Sequence, residues 1–236
     1  MSTWTAKRFW KSTTIEKVET GWQVLLDSRP VRTPAKAPLV VPTERYAVLV
    51  AREWDAQEGV IDPNMMPATR SANAAIDKVS KQYQEVAAML AAYGDADLVC
   101  YRATEPEALI ARQAEAWDPL LDWFDDALGI RLEPVSGIMH VAQDSAALAA
   151  IRSRIDSLDS FELAAFHDLV SISGSVVIAN AVTLGHFAPE EAWLHARIDE
   201  QWQEEQWGTD EEATEAAMKK RDAFLVAAQI FSVCRD

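Results

Sequence analysis

LVVPTERYAVLVAREW, residues 39–54, is where the chain changes its grammar. Before it, Pro34 and Pro38 punctuate an extended run, and Pro42 closes that run. A proline has no N–H to give a sheet, so this stretch predicts an edge or a loop rather than a central strand. After Pro42, Thr43 has the side chain of a helix N-cap, and Tyr46, Leu49, Val50 and Trp54 recur at helical spacing up to Gly59.

Upstream, residues 5–42 are rich in β-branched residues and turn signals. Phe9-Trp10, Ile15 to Val18, Trp22 to Leu26 and Val31 read as short strands. Glu19-Thr20-Gly21 and Asp27-Ser28-Arg29-Pro30 read as the turns between them. Downstream the periodicity is helical almost throughout. Helices are predicted over 66–76, 78–92 with a stop at Gly94, 106–128 with a kink or break near Pro119, and 145–157. Two largely apolar helices follow, Phe161 to Val170 and Val176 to Leu184, which belong in a core. Pro189 begins a helix predicted to run to Trp207, with Gly208 as its stop. Thr209 and Glu212 make a capping box for a last helix reaching about Val233. The fold class is therefore α+β. A small antiparallel β-rich N-terminal domain with one helix, residues 1–66, precedes a larger all-helical C-terminal domain, residues 67–236.

The chain carries 37 acidic and 22 basic side chains, a formal charge of −15. That field repels phosphate backbones, which argues against nucleic acid as a partner. The N-terminal MSTWTAKRFWKST has no apolar segment of a secretory signal and no long Arg-rich pattern of a transit peptide. LVSISGSVVIANAV, residues 169–182, is too short and polar for a membrane span, so no membrane insertion is expected. Cys100 and Cys234 lie far apart in apolar surroundings, as two buried thiols of a reducing, cytosolic compartment would.

No phosphate-cradling GxxxxGK[ST] or GxGxxG, no GxSxG elbow and no HExxH occurs. Four histidines show no ligand spacing. The most enzyme-like cluster is Tyr93-Gly94-Asp95-Ala96-Asp97, whose two carboxylates could, with a helical glutamate, hold a divalent cation. The competing reading is structural: one of the two aspartates caps the segment that follows.

Tryptophan usage stands out, with 9 Trp against 4 Tyr. Most such rings belong in the core, and Trp54 is expected to pack its helix onto the body. The segment IDEQWQEEQWG, 198–208, sets Trp202 and Trp207 among carboxylates. On a continuous helix at about 100° per residue, Leu194, Ile198 and Trp202 form one apolar stripe with Glu205 inside it, and Trp193, Ala196 and Trp207 form another. A buried lone carboxylate is costly. Glu205 therefore meets either an internal Arg or Lys, or a donor that a partner supplies at the rim.

Five segments, in order, resemble the ATP synthase assembly chaperones of the Atp-twelve family, known from mitochondria and related bacteria. They are LLDSRPVRTPAKAPLVVPT (25–43), EWDAQEGVIDPNMMPATRSANAAID (53–77), YGDADLVCYRA (93–103), QAEAWDPLLDW (113–123) and DEQWQEEQWGTDEEA (199–213). The resemblance implies a non-catalytic factor with no cofactor, in a bacterial cytoplasm and as a monomer. It would bind the free alpha subunit of the F-type ATP synthase head transiently and shield the surface that later meets beta. The family's acidic position in QWxxEQWG falls on Glu205. Trp202, Trp207, Asp95 and Asp97 are taken with it as partner-binding candidates, and Trp54, Gly94 and Gly208 as structural residues.

Overall fold

Glu19 and Thr20 alone separate β1 (Thr13–Val18) from β2 (Gly21–Leu26), so the two strands close as a tight antiparallel hairpin, Thr13 opposite Leu26 and Val18 opposite Gly21. Gly21 cannot be replaced there without movement: at φ +148°, a Cβ would lie 2.4 Å from the Val41 carbonyl oxygen. β3 (Arg29–Pro30) and β4 (Val40–Val41) both pair antiparallel with β2. Phe9-Trp10 is not a strand, because the neighbouring ladder reduces to a single bridge, Lys7 to Val60. This computed structural model describes residues 6–235; residues 1–5, included in the leader reading above, and Asp236 lie outside the described residues.

α1 (Glu44–Asp55) starts where the sequence placed it, with the Thr43 hydroxyl oxygen accepting the Tyr46 N–H at 3.1 Å. Its buried face, Tyr46, Ala47, Val50 and Trp54, belongs to the same core as Val24, Leu26, Val31, Leu39 and Val41. Each large side chain so buried contributes roughly 1.5–3 kcal/mol. The end of α1 then caps α2 (Pro67–Ala74), whose own N-cap, Met66, has no side-chain acceptor. Glu53 takes the N–H groups of Ala68 and Thr69 at 2.6 and 2.7 Å and the Thr69 hydroxyl at 2.7 Å. Burial still pushes its carboxyl above the usual range, because desolvation exceeds what these bonds return.

Residues 6–83, 159–165 and 229–235 form this first compact unit. Thr43 also donates its hydroxyl proton to the Val233 carbonyl, Arg235 pairs with buried Glu162, and Phe161 meets Tyr46 edge-on at 5.9 Å.

The second unit comprises residues 84–158 and 166–228. In chain order it holds α3 (Tyr83–Ala92), β5 (Tyr101–Arg102), α4 (Glu107–Leu128), β6 (Val135–Ser136), α5 (Ser145–Asp156), the later part of α6 (Ser160–Ser173), α7 (Val176–Thr183), α8 (Pro189–His195), α9 (Ile198–Trp207) and most of α10 (Glu211–Ser232). β5 and β6 are a two-residue parallel pair within this otherwise helical unit. With the N-terminal antiparallel sheet and a mostly helical remainder, the fold is α+β.

Three further local expectations change. α4 runs through Pro119 without a break. Pro119 and Glu115, whose carbonyl loses its donor, are both exposed, while Trp117, Leu120, Leu121 and Phe124 are buried. Burial of four such side chains outweighs the roughly 3 kcal/mol that an interior proline costs. The single helix predicted over 189–207 is two, α8 and α9, parted at Ala196-Arg197, so the two-stripe wheel does not hold across the break. The cap of α10 is Asp210, which accepts the Ala213 N–H at 2.8 Å, one residue beyond the predicted Thr209.

Candidate functional site

α9 buries none of its ten residues. A helix with no buried face needs other ties, and these are polar. Gln113 of α4 donates to Asp199 at 2.6 Å while its own oxygen accepts the Ala103 N–H at 2.7 Å. Arg197, in the break before α9, donates to Glu204 at 2.8 Å and lies 5.8 Å from the Trp193 ring centre. At the far end, Gly208 donates its N–H to the Glu204 carbonyl at 2.9 Å and takes φ 90°, the stop the sequence assigned to it.

Between these ties sits Glu205. Arg112 of α4 grips both of its carboxylate oxygens, Nη1 to Oε1 at 3.0 Å and Nη2 to Oε2 at 2.8 Å. The same guanidinium stands 5.2 Å from the Trp202 ring centre. Trp202, Arg112 and Glu205 are thus one stack of ring, cation and carboxylate, and of the two readings of Glu205 the internal pair is the one realised. The pair is accessible, 51% exposed on the Glu205 side chain and 35% on Arg112. Its hydrogen bond with Glu205 raises the Arg112 pKa above the ordinary arginine value. A half-exposed pair of this kind stabilises folding by only about 0–1 kcal/mol. Its geometric effect is to hold the Glu205 carboxylate in one orientation.

Trp207 differs from what its spacing with Trp193 suggests. Trp193 and Ala196 are buried, whereas Trp207 is 79% exposed, because the break at Ala196-Arg197 turns α9 out of the register of α8. Trp202 is half-buried under Arg112.

Asp95 and Asp97 take separate partners. Asp95 accepts the Gln143 N–H at 2.8 Å and meets His140 at 2.9 Å. The Gln143 amide, then His140, hold its carboxyl below the ordinary value. Asp97 is fully buried and is a cap, the structural reading of this cluster. Its oxygens accept from Val99 N–H at 3.1 Å, Val176 N–H at 2.7 Å and Val177 N–H at 3.2 Å. Ser175 takes the next amide, that of Ile178, at 3.0 Å. Every residue of α7 from Val176 to Ala181 is buried, so no water could satisfy this helix start. Burial nonetheless raises the Asp97 carboxyl to about 6, against the Ser175 hydroxyl and the three amides. Because Asp97 is committed to backbone amides out of solvent, its role is structural and it offers no partner contact, contrary to its expected place among the partner-binding residues. No group of three or more His, Cys, Asp or Glu side chains is placed to hold a metal among the described residues.

The two remaining structural assignments stand differently. Trp54 is buried, edge-on to Trp10 at 5.3 Å. Gly94 stops no helix by a left-handed turn, since a 3-10 segment, Tyr93–Ala96, continues from α3. It is there for close packing: a Cβ would lie 2.5 Å from Ile151 Cδ1 of α5. Arg112, Arg197 and Gln113, which hold α9, carry no mark in the sequence, because their partners lie on another element or across the helix break.

Relatives of known sequence or structure cover nearly the whole chain. Residues 7–125 match the family described as ATP12 chaperone protein. The protein atp12, mitochondrial, of Schizosaccharomyces pombe is 30% identical over 241 residues, covering 97% of this chain and 82% of that protein. The crystal structure of Atp12 from Paracoccus denitrificans is similar with a TM-score of 0.94 and 48% identity, covering 98% of this chain and 99% of that one. A protein of known structure from Agrobacterium tumefaciens is similar with a TM-score of 0.92 and 43% identity, over 97% of this chain and 86% of that one.

Proposed function

The chain belongs to the ATP12 chaperone protein family, and on that premise we propose that it binds the free alpha subunit of the F-type ATP synthase head, covers the surface that alpha later gives to beta, and leaves as the head assembles. It is a chaperone of that family and not an enzyme. The observation that carries the reading is α9, which buries no residue yet presents Trp207 at 79% exposure beside an oriented Glu205. Folding alone gives no reason to expose so large a ring, whereas an aromatic anchor with a charged rim is what a binding surface uses. Residues 199–215 hold eight carboxylates and no lysine or arginine, a rim that speeds encounter with a basic surface.

In this reading Trp207 is the anchor, Glu205 sets orientation, Trp202 and Arg112 hold Glu205, and Asp95 joins the rim. An alpha subunit without its neighbours exposes a large apolar interface that aggregates, and a holder for one client needs no nucleotide chemistry to cover it. The complex must be weaker than the assembled head, or the client would not be handed on. A monomer in the bacterial cytoplasm completes the proposal. No helix among the described residues is long and apolar enough to cross a membrane. The experiment is a pull-down with the tagged chain from lysate: free alpha should be enriched well above beta. Equal recovery of the two, or of intact synthase, would refute the reading.

A further inference from the structure

Apart from the contact of His140 with Asp95, residues 137–141, GIMHV, have no role described so far, yet they hold the largest concentration of exposed apolar side chain in the second unit. Ile138 is 96% exposed, Met139 77% and Val141 52%. The loop that carries them is held at both ends. On one side, β6 pairs with β5 and the Gly137 N–H donates to the Arg102 carbonyl at 2.8 Å. On the other, Gln143 and Glu133 exchange two hydrogen bonds, at 2.9 and 2.8 Å, and the Gln143 N–H is fixed on Asp95. His140, inside the tip, is tied to the same Asp95 carboxylate at 2.9 Å. The main chain is thus ordered before any partner arrives, which lowers the entropic cost of binding through it.

We propose that Ile138 and Met139 form an apolar plug that enters a concave, basic-rimmed cleft of the client subunit, as a second contact separate in sequence from α9. A convex tip with nearly bare side chains requires a hollow on the other side. The choice of occupant follows from charge. Around the tip Glu133 is offset by Arg131 at 2.9 Å, while Asp144, which caps α5, and Asp95, bonded to His140 and the Gln143 N–H, face no lysine or arginine in these contacts, in a chain of net charge −15. A second copy of the chain or an anionic membrane would bring like charge to this rim; a basic-rimmed cleft brings the opposite sign. The proposal rests on the client reading above and adds where, besides α9, the client is touched.

The test uses purified chain and isolated alpha subunit, with affinity measured directly. Ile138→Ser with Met139→Ser removes the apolar tip at sites too exposed to affect folding, so thermal unfolding should be unchanged while affinity falls tenfold or more. Ile138→Leu with Met139→Leu should bind normally. If the wild type binds alpha and the serine pair binds equally well, the plug is refuted and the client reading stands. If the wild type does not bind alpha, both fall. Self-association, or binding to anionic lipid vesicles, that the serine pair abolishes while binding to alpha is unchanged would also overturn the assignment, in favour of those occupants.

Discussion

Arg112 and Glu205 stand 93 residues apart in the chain and meet through two hydrogen bonds, 3.0 and 2.8 Å, on the open surface of the second unit. The relationship separates two effects that a buried pair would confound. A salt bridge half open to water adds little to stability, so breaking it tests orientation rather than folding.

Glu205→Gln should therefore lower stability by less than about 1 kcal/mol while client capture falls clearly. Arg112→Gln should act in the same direction, since it frees the carboxylate to wander. Melting temperature and capture of alpha, measured on the same preparations, decide. A large drop in melting temperature with undiminished capture would make the pair structural.

Trp207→Ala should leave unfolding within about 0.5 kcal/mol of wild type, the range of an exposed substitution, and should weaken client binding more than any other single change on α9. Trp202→Ala should cost more stability than Trp207→Ala, because Trp202 is half-buried against Arg112. Denaturant titration of both variants alongside binding checks the order.

Trp54→Arg places a charge where a buried indole packs edge-on to Trp10 at 5.3 Å. The lost packing and the unpaired charge together should cost roughly 3–5 kcal/mol. Trp54→Phe, which keeps an apolar ring, should cost less. Calorimetry on the two variants would expose a surface role for Trp54 if their melting temperatures matched wild type.

Asp97 gives a pH prediction. Its carboxyl is raised from 3.8 to about 6, so between those values the folded state binds more protons than the unfolded state, and its contribution to stability falls as pH rises through that window. That displacement corresponds to on the order of 3 kcal/mol. Asp97→Asn cannot titrate. The stability of wild type relative to this variant should therefore decline from about pH 4 to pH 7 by up to that amount. A constant difference across the range would show that the amides at the start of α7 hold Asp97 ionised throughout.

Features set by neighbours in sequence were legible. Thr43 at the start of α1 and Gly208 at the end of α9 both act within one turn, and the α+β fold class follows from the change in periodicity after Pro42. Features set at a distance were not. Beside the local cap Ser175, the first two amides of α7 are taken by Asp97, 79 residues before Val176, and no local pattern announces that contact. The break at Ala196-Arg197 contains neither glycine nor proline, and that break alone moves Trp207 from a predicted core stripe to the surface. Of the candidate site, the sequence marks Glu205 through the segment around it and gives no mark of its partner Arg112.

The bond from Thr43 to the Val233 carbonyl spans 190 residues, and with the pairing of Glu162 and Arg235 it closes the first unit with the last residues described. On the ribosome, α1 then emerges long before Glu162 and Val233, which belong to the segments that close its unit. Until residues 159–165 and 229–235 are made, the α1 core lacks its closing pieces, and apolar side chains that the finished unit buries stay open to water.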